Sequence, residues 1–179
     1  MPKTEKHVRD FLAGDKAALK TLYTETSGML YRVVFRMIGS REDTEDILHD
    51  VYIKAYEKRK SYRPELSSLR TWLYRIAVNH TLNILKRRKW SNNLKHFFRF
   101  EEEQQDTLDD YLVTEEGQDI QRLLQKVPEN FRVCLVLRDI EEKSYEEIAK
   151  LLRLNTGTVK SRINRGRKML KELYMKEAK

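Results

Sequence analysis

Between Ser144 and Lys171 the chain reads SYEEIAKLLRLNTGTVKSRINRGRKMLK, a pattern that leaves room for little except two short helices joined by a tight turn. Ser144 opens the first with a capping box: its hydroxyl takes a first-turn backbone N–H while Glu147, three residues on, reaches back. Tyr145, Ile148, Ala149 and Leu152 then recur at i, i+3, i+4 and i+7, one buried stripe. Arg153–Leu154–Asn155 makes the turn, and Asn155 or Thr156 caps the second helix. That helix has an apolar stripe of its own in Val159, Ile163, Gly166, Leu170 and Leu173. From Thr156 to Lys171 there are six Lys or Arg and no Asp or Glu, so the face away from the stripe is basic. Ser161, Arg165 and Lys168 lie on that face, flanked by Lys160, Arg162 and Asn164. A helix buried on one side and basic on the other fits the DNA major groove. A charged helix face is more often simply solvated. Here the small Ala149, the three-residue turn and the Val159 anchor match helix-turn-helix packing, in which the helices cross closely.

The rest of the chain also reads as helix. Three prolines and six glycines in 179 residues leave long uninterrupted periods, and no alternating strand pattern is sustained. The fold class is all-α. Helices are expected over Lys3–Ala13, from Asp15 to about Gly39 with a break or bend near Gly28, from Arg41 to about Lys58, and from Leu69 to Trp90. Ala18, Leu22, Leu30, Val33, Val34 and Met37 supply the core positions of the second, and Ser40 with Asp43 starts the third. The third sets Ile47, Val51 and Ala55 on one stripe; the fourth buries Leu69, Leu73, Ile76 and Ala77. A loop from Lys60 to Ser68 holds Pro64. Ser91–Asp119 lacks a period and turns from basic aromatic to acidic, apart from a short helix around Leu108–Val113. Helical patterning resumes at Ile120–Val127, and Pro128 suits the first turn of a helix continuing through FRVCLVLRDI. The organisation is two small helical domains, residues 1–90 and 118–179, joined by an acidic linker, residues 91–117.

Charge bears on the partner. A net charge of +8 favours a polyanion, but Phe100–Gln121 carries nine acidic residues and no Lys or Arg, so the basic character is concentrated elsewhere. Cys134 is the only cysteine, which excludes an internal disulfide and a cysteine-built zinc site. No metal-spaced cluster joins His7, His49, His80 and His96, and there is no Gly-rich phosphate loop or paired-carboxylate pocket, so no catalysis, metal or cofactor is expected. The first fifteen residues lack an apolar run and none elsewhere approaches membrane-spanning length, which makes a cytoplasmic protein the simplest expectation.

Three blocks, SREDTEDILHDVYIKAYEK, SLRTWLYRIAVNHTLNILKRRK and VPENFRVCLVLRDIEEKSYEEIAKLLRLNTGTVKSRINRGRKML, occur in that order. Together they resemble the extracytoplasmic-function group of the bacterial sigma-70 family, over about Phe11 to Leu173. The resemblance implies a non-catalytic factor that binds core RNA polymerase and directs it to promoter DNA, read as a duplex at −35 and as a melted strand at −10. It implies that Glu45, Asp46, His49 and Asp50 on the third helix meet a coiled coil of the polymerase clamp, His49 standing where the family often has Gln. It places Asn79 at an unstacked −10 base, Asn83 one turn on, and Arg75, Lys86, Arg87, Arg88 and Lys89 at phosphates. Trp72 and Tyr74 invite a stacking role, but Leu73 and Ile76 beside Trp72 favour a core position. The loop SYRPELSS departs from the commoner Gly-containing form. Lys160, Ser161, Arg162, Asn164 and Arg165 match positions that approach the −35 element, with Lys168 and Lys171 at phosphates. Arg153 replaces the glycine usual in the turn, which strains it if the backbone is left-handed.

The 29 residues of Ser91–Asp119 extend to roughly 90 Å, enough for elements roughly 70 Å apart. In the resemblance their acidity either imitates nucleic acid inside the polymerase or serves an inert tether. An anti-sigma factor, often membrane-anchored in relatives, is an implied partner. The competing readings are a stand-alone operator-binding helix-turn-helix regulator, which leaves the first two blocks idle, and a polybasic RNA-binding protein, for which no stacking sheet is present.

Overall fold

A computed structural model describes residues 3–95 and 115–177. The described residues are helical or in short turns and loops: α1 (Lys3–Ala13), α2 (Lys16–Ile38), α3 (Arg41–Glu57), a 3-10 turn (Arg59–Ser61), α4 (Leu69–Lys95), α5 (Glu115–Lys126), α6 (Glu129–Leu135) running into a π turn (Val136–Ile140), α7 (Tyr145–Leu152) and α8 (Thr156–Glu177). The all-α reading stands. Two helix boundaries move: α4 continues past Trp90 to Lys95, and α5 begins at Glu115. The short helix expected near Leu108–Val113 and the acidic cluster before Glu115 lie outside the described residues.

Helix ends follow their local chemistry. Asp15 caps α2 by accepting the Ala17 N–H at 2.8 Å, and Ser40 caps α3 by accepting the Asp43 N–H at 3.2 Å. The capping box of α7 is complete, Ser144 Oγ taking the Glu147 N–H and Glu147 Oε2 taking the Ser144 N–H. The expected break at Gly28 is not there: α2 passes through it unbroken, and a Cβ at that position would meet only Arg32. A single interior glycine weakens a helix by about 1 kcal/mol, which the buried side chains of α2 outweigh. Pro128 stands one residue earlier than expected, as the cap of α6 rather than in its first turn.

Arg153 closes α7 with φ 55° and ψ 49°, the left-handed conformation a side chain resists. Its N–H and that of Leu154 both reach the Ala149 carbonyl, so the turn geometry is set by the hydrogen bonds and not by the residue. Arg153→Gly should therefore stabilise the chain by about 0.5–1 kcal/mol, relief of strain exceeding the added freedom of the unfolded chain. Urea unfolding measures it; a lower midpoint would mean the Arg153 side chain contributes more than its strain costs.

The buried side chains of both halves form one cluster, from Phe11, Leu30 and Val51 through Leu73 and Val78 to Leu124, Cys134, Ile148 and Ile163. The two units are thus packed together. The C-terminal end of α2 is the centre of the seam. Gly39, at φ 88°, returns its N–H to the Phe35 carbonyl at 2.7 Å. Gln121 of α5, 3 % exposed, donates to the same carbonyl at 3.1 Å, and Gln125 donates to the Arg36 carbonyl at 3.3 Å. Gln125 thus serves a carbonyl at the helix end, and Gln121 adds a second donor to one that already accepts the Gly39 N–H. Buried Arg132 holds Gln125 in turn, through its backbone carbonyl at 3.3 Å and its side-chain oxygen. Nearby, Arg36 pairs with Glu141 at 3.7 Å, and Lys143 Nζ sits 4.9 Å from the centre of the Tyr74 ring. Burial pushes the Glu141 carboxyl above its usual range, against the pull of Arg36, Lys143 and Arg32.

Candidate nucleic-acid interface

Helix α8 is held by its apolar stripe. Val159 and Ile163 are fully buried, and Gly166 meets α6 so closely that a Cβ would stand 3.0 Å from Leu135 Cγ and Cδ1. Asn155 caps it, accepting the Thr158 N–H at 2.7 Å. Lys160, Ser161, Asn164, Arg165 and Lys168 are exposed on the opposite side, and Arg162 is half-buried at its edge. Among the described residues Ser161, Asn164 and Arg165 have no hydrogen-bond or ion-pair partner, and Lys168 has only a weak exposed pair with Glu172 at 4.0 Å. One basic residue of this helix has another task. Arg167 clasps the Asp139 carboxylate of the π turn with two hydrogen bonds, Nε to Oδ2 at 3.1 Å, and so ties α8 to the element before α7.

Helix α4 presents a second polar ridge. Arg75, Asn79, Asn83 and Lys86 are exposed and recur at helical spacing, with Arg87 beside them. Leu73, Tyr74, Ala77, Val78 and Leu85 face the core. Trp72 is half-buried and packs against the hydrophobic core, as expected of a core position, with its ring 5.5 Å from that of Tyr62 in a tilted pair at 57°. Tyr62 is 5 % exposed and donates to the Ser67 carbonyl at 2.9 Å, which fixes the loop. Sequence reasoning did not single out Tyr62; an aromatic inside an otherwise polar loop, two residues before Pro64, was the available signal. Tyr74 belongs to the core and the seam. Arg88 is not on the ridge but half-buried and paired with Asp43 of α3. Burial alone would raise the Asp43 carboxyl; Arg88 and Ser40 hold it below the ordinary range.

On α3, Glu45, Asp46, His49 and Asp50 are all exposed, over a core edge of Ile47, Leu48 and Val51. They are not equivalent. Glu45 accepts from Arg41 Nε at 3.0 Å, while Asp50 is engaged by His80 Nε2 at 3.0 Å and by Lys54 Nζ at 3.7 Å. Lys54 Nζ also lies 2.9 Å from His80 Nδ1. Burial and the charges of Lys54 and Arg87 depress the His80 pKa, against the pull of Asp50. Below the ordinary histidine value of about 6.5 the unfolded chain then binds a proton that the folded chain refuses, so stability rises with pH through that window and is lost on acidification. The urea midpoint should fall between pH 7 and pH 5.5, and His80→Gln should flatten that fall; an unchanged slope in the variant would assign the acid sensitivity elsewhere.

The arrangement amounts to two cation-and-amide ridges on separate helices and an acidic face on a third, with no group of three or more His, Cys, Asp or Glu able to hold a metal among the described residues. Nor is any described helix long and apolar enough to cross a membrane.

Comparison with known proteins gives the same division. The family model of sigma-70 region 2 matches residues 22–91, and that of sigma-70 region 4 matches residues 117–170. The chain is 32 % identical to the ECF RNA polymerase sigma factor SigE of Mycolicibacterium smegmatis over 92 % of this chain and 66 % of that one. It is 29 % identical to SigW of Bacillus subtilis over 94 % and 95 %. Identity to the ECF sigma-E factor of Escherichia coli is 33 %, over 88 % and 86 %. Two solved structures share the fold: the sigma factor RpoE with the anti-sigma factor NepR from Bartonella quintana, TM-score 0.64 at 24 % identity over 87 % and 96 %, and CnrH with the cytosolic domain of CnrY, TM-score 0.61 at 21 % identity over 96 % of each chain.

Proposed function

The chain belongs to the extracytoplasmic-function group of the sigma-70 family, and from that membership we propose that it seats on core RNA polymerase through α3 and carries the enzyme to promoters read by α4 and α8. It is a transcription initiation factor. The observation that carries the assignment of surfaces is the pair of outward ridges, Arg75–Asn79–Asn83–Lys86 and Ser161–Asn164–Arg165, on the two matched regions. Exposed amides with cations along the same helix suit a single strand at −10, where an extracted base needs both a donor and an acceptor. An exposed basic helix closely crossed by another suits the major groove at −35. The protein works where the polymerase works, in the cytoplasm, and catalyses nothing itself. An anti-sigma factor, such as the NepR bound to RpoE, is its regulatory partner.

The unit boundaries proposed here are residues 1–90 and 118–179. Helices α4 and α5 leave residues 96–114 between them, nineteen positions whose contour is at most about 65 Å. Elements roughly 70 Å apart are therefore reached only if the seam parts and the helix ends contribute length.

Purified chain added to core polymerase on a promoter library should produce discrete run-off transcripts. A stand-alone operator-binding protein would bind duplex and start none. Reversing two exposed acids together, Glu45→Lys with Asp46→Lys, should weaken association with core enzyme at least tenfold, because steering and contact both change sign. The melting temperature should barely change, since both side chains face solvent. Undiminished association would remove α3 from the polymerase interface.

A further inference from the structure

His80 follows Asn79 on α4 but turns across α3, its side chain 13 % exposed. Its Nε2 stands 3.0 Å from Asp50 Oδ2. A carboxylate only accepts, so Nε2 carries the proton and the neutral ring is the Nε2–H tautomer. Lys54 Nζ lies 2.9 Å from Nδ1 and 3.0 Å from Nε2, and such equal distances place the ammonium over the ring, not in line with one nitrogen. Lys54 Nζ is also 3.7 Å from Asp50 Oδ2. Both contacts of Asp50 thus fall on Oδ2, and Oδ1 has no partner among the described residues.

This arrangement holds only while the ring is neutral. An imidazolium would set a second positive charge 2.9 Å from the Lys54 ammonium. Lys54, on a flexible stem and 36 % exposed, is the group able to leave. The same proton turns the His80–Asp50 hydrogen bond into an ion pair. Together the three groups pass from neutral to net positive, on the face where Glu45 and Asp46 are exposed. A basic partner is then attracted less.

Burial depresses the His80 pKa, Asp50 opposes that, and Lys54 and Arg87 add to it. The other charges brought to α4 fall elsewhere along it: Glu147 of α7 at Arg75, Glu141 at Tyr74 and Asp43 of α3 at Arg88. Helix α2 meets the start of α4, where Arg70 donates to Met29 Sδ.

We propose that His80 is a positioning residue for the polymerase contact of α3: unprotonated, it holds Lys54 over its ring and leaves Asp50 charged toward the enzyme; protonated, it releases Lys54 and neutralises Asp50. The proposal rests on the docking of α3 read above and adds its regulation by pH. A basic partner at Asp50 disfavours the imidazolium further, so association expels a proton at acid pH. Affinity is therefore full above the histidine pKa and is lost as pH falls through it.

The test measures binding of full-length chain to core polymerase at fixed salt from about pH 7.5 to about pH 5.5, at a temperature where circular dichroism shows folded chain throughout. Wild-type affinity should fall about threefold or more, and no more steeply than about tenfold per pH unit, since one proton is linked. His80→Gln keeps an N–H for Asp50 and an oxygen for Lys54 without titrating, so its affinity should change much less over the same range. His49, exposed on the same face, titrates in both and cancels from the comparison. Lys54→Met removes a charge that opposes protonation and should move the fall to higher pH. Nitrogen NMR of the free chain should show the Nε2–H tautomer of His80 at the upper pH. Parallel falls for wild type and His80→Gln, an unmoved midpoint in Lys54→Met, or an Nδ1–H tautomer overturns the proposal. A wild-type chain that fails to bind core enzyme even at the upper pH defeats the polymerase reading itself, a result distinct from those three.

Discussion

Gly166→Leu should cost the chain about 3 kcal/mol and, on the proposed reading of α8, abolish −35 recognition. The position has no room. A Cβ there would approach Leu135 Cγ and Cδ1 at 3.0 Å and Cδ2 at 3.3 Å, and Leu135 is itself 2 % exposed within α6. Overfilling a packed core costs about 1–3 kcal/mol, and this contact is the crossing point of the two helices that shape the C-terminal unit. Gly166→Ala is a useful contrast. The gain in helix propensity, about 1 kcal/mol, opposes the tight contact, so the net change should be small. Urea unfolding followed by circular dichroism reads both variants. Adding Leu135→Ala to Gly166→Leu should recover part of the loss, because the new side chain then fills the space it needs. A Gly166→Leu midpoint equal to that of the wild type would show that α6 and α8 do not cross here.

Gly39→Val should have an effect of similar size but a different character. At φ 88° any side chain is strained, and a Cβ would stand 2.4 Å from Gln125 Cδ and Oε1. The strain costs about 1–3 kcal/mol. Displacing Gln125 also removes its bonds to the Arg36 carbonyl and to Arg132, each worth about 1 kcal/mol. Free chain should melt earlier and show a larger radius of gyration by small-angle scattering, as the two units part. Promoter-dependent transcription by assembled holoenzyme, measured below the melting point, should be largely retained if, as proposed above, the seam opens to bridge two distant promoter elements. Gln125→Ala separates the contributions: it loosens the seam at about 1 kcal/mol without straining the backbone. A drop in transcription matching the drop in stability for both variants would mean the seam persists in the working complex.

The local features of this fold could be read from short stretches of sequence. The capping box of Ser144 and Glu147, the cap at Ser40 and the stripe of Val159 and Ile163 depend only on neighbours within one or two turns, and the structure matches them. The left-handed Arg153 was visible as a conditional expectation for the same reason. The exposure of most candidate site residues was also legible, because the apolar stripe of a helix determines which side chains remain outside. What each exposed charge does was less accessible. Arg167 and Arg88 look like their neighbours in a list of basic residues, yet one holds Asp139 and the other Asp43. A salt bridge between elements is a fact about two distant positions, and helical period says nothing about the second. Trp72 illustrates the same limit: its neighbours Leu73 and Ile76 suggested a core position and it does pack against the core, but its pairing with Tyr62 across a loop could not be read from them.

By itself, then, the sequence determined that the chain is helical, where most of the helices lie, the caps at Ser40, Ser144 and Asn155 and the family, which follow from periodicity, capping chemistry and motif order; it misplaced a break at Gly28 and the role of Pro128. Only the tertiary structure decided that the two units pack as one cluster, that glutamines of α5 donate to the end of α2, and that Arg162 rests against Cys134 while Arg165 stays free. The reason is range. Backbone hydrogen bonds and amphipathic stripes are set within a few residues, whereas the partner of a helix end or a guanidinium is whichever distant surface the packed core brings beside it.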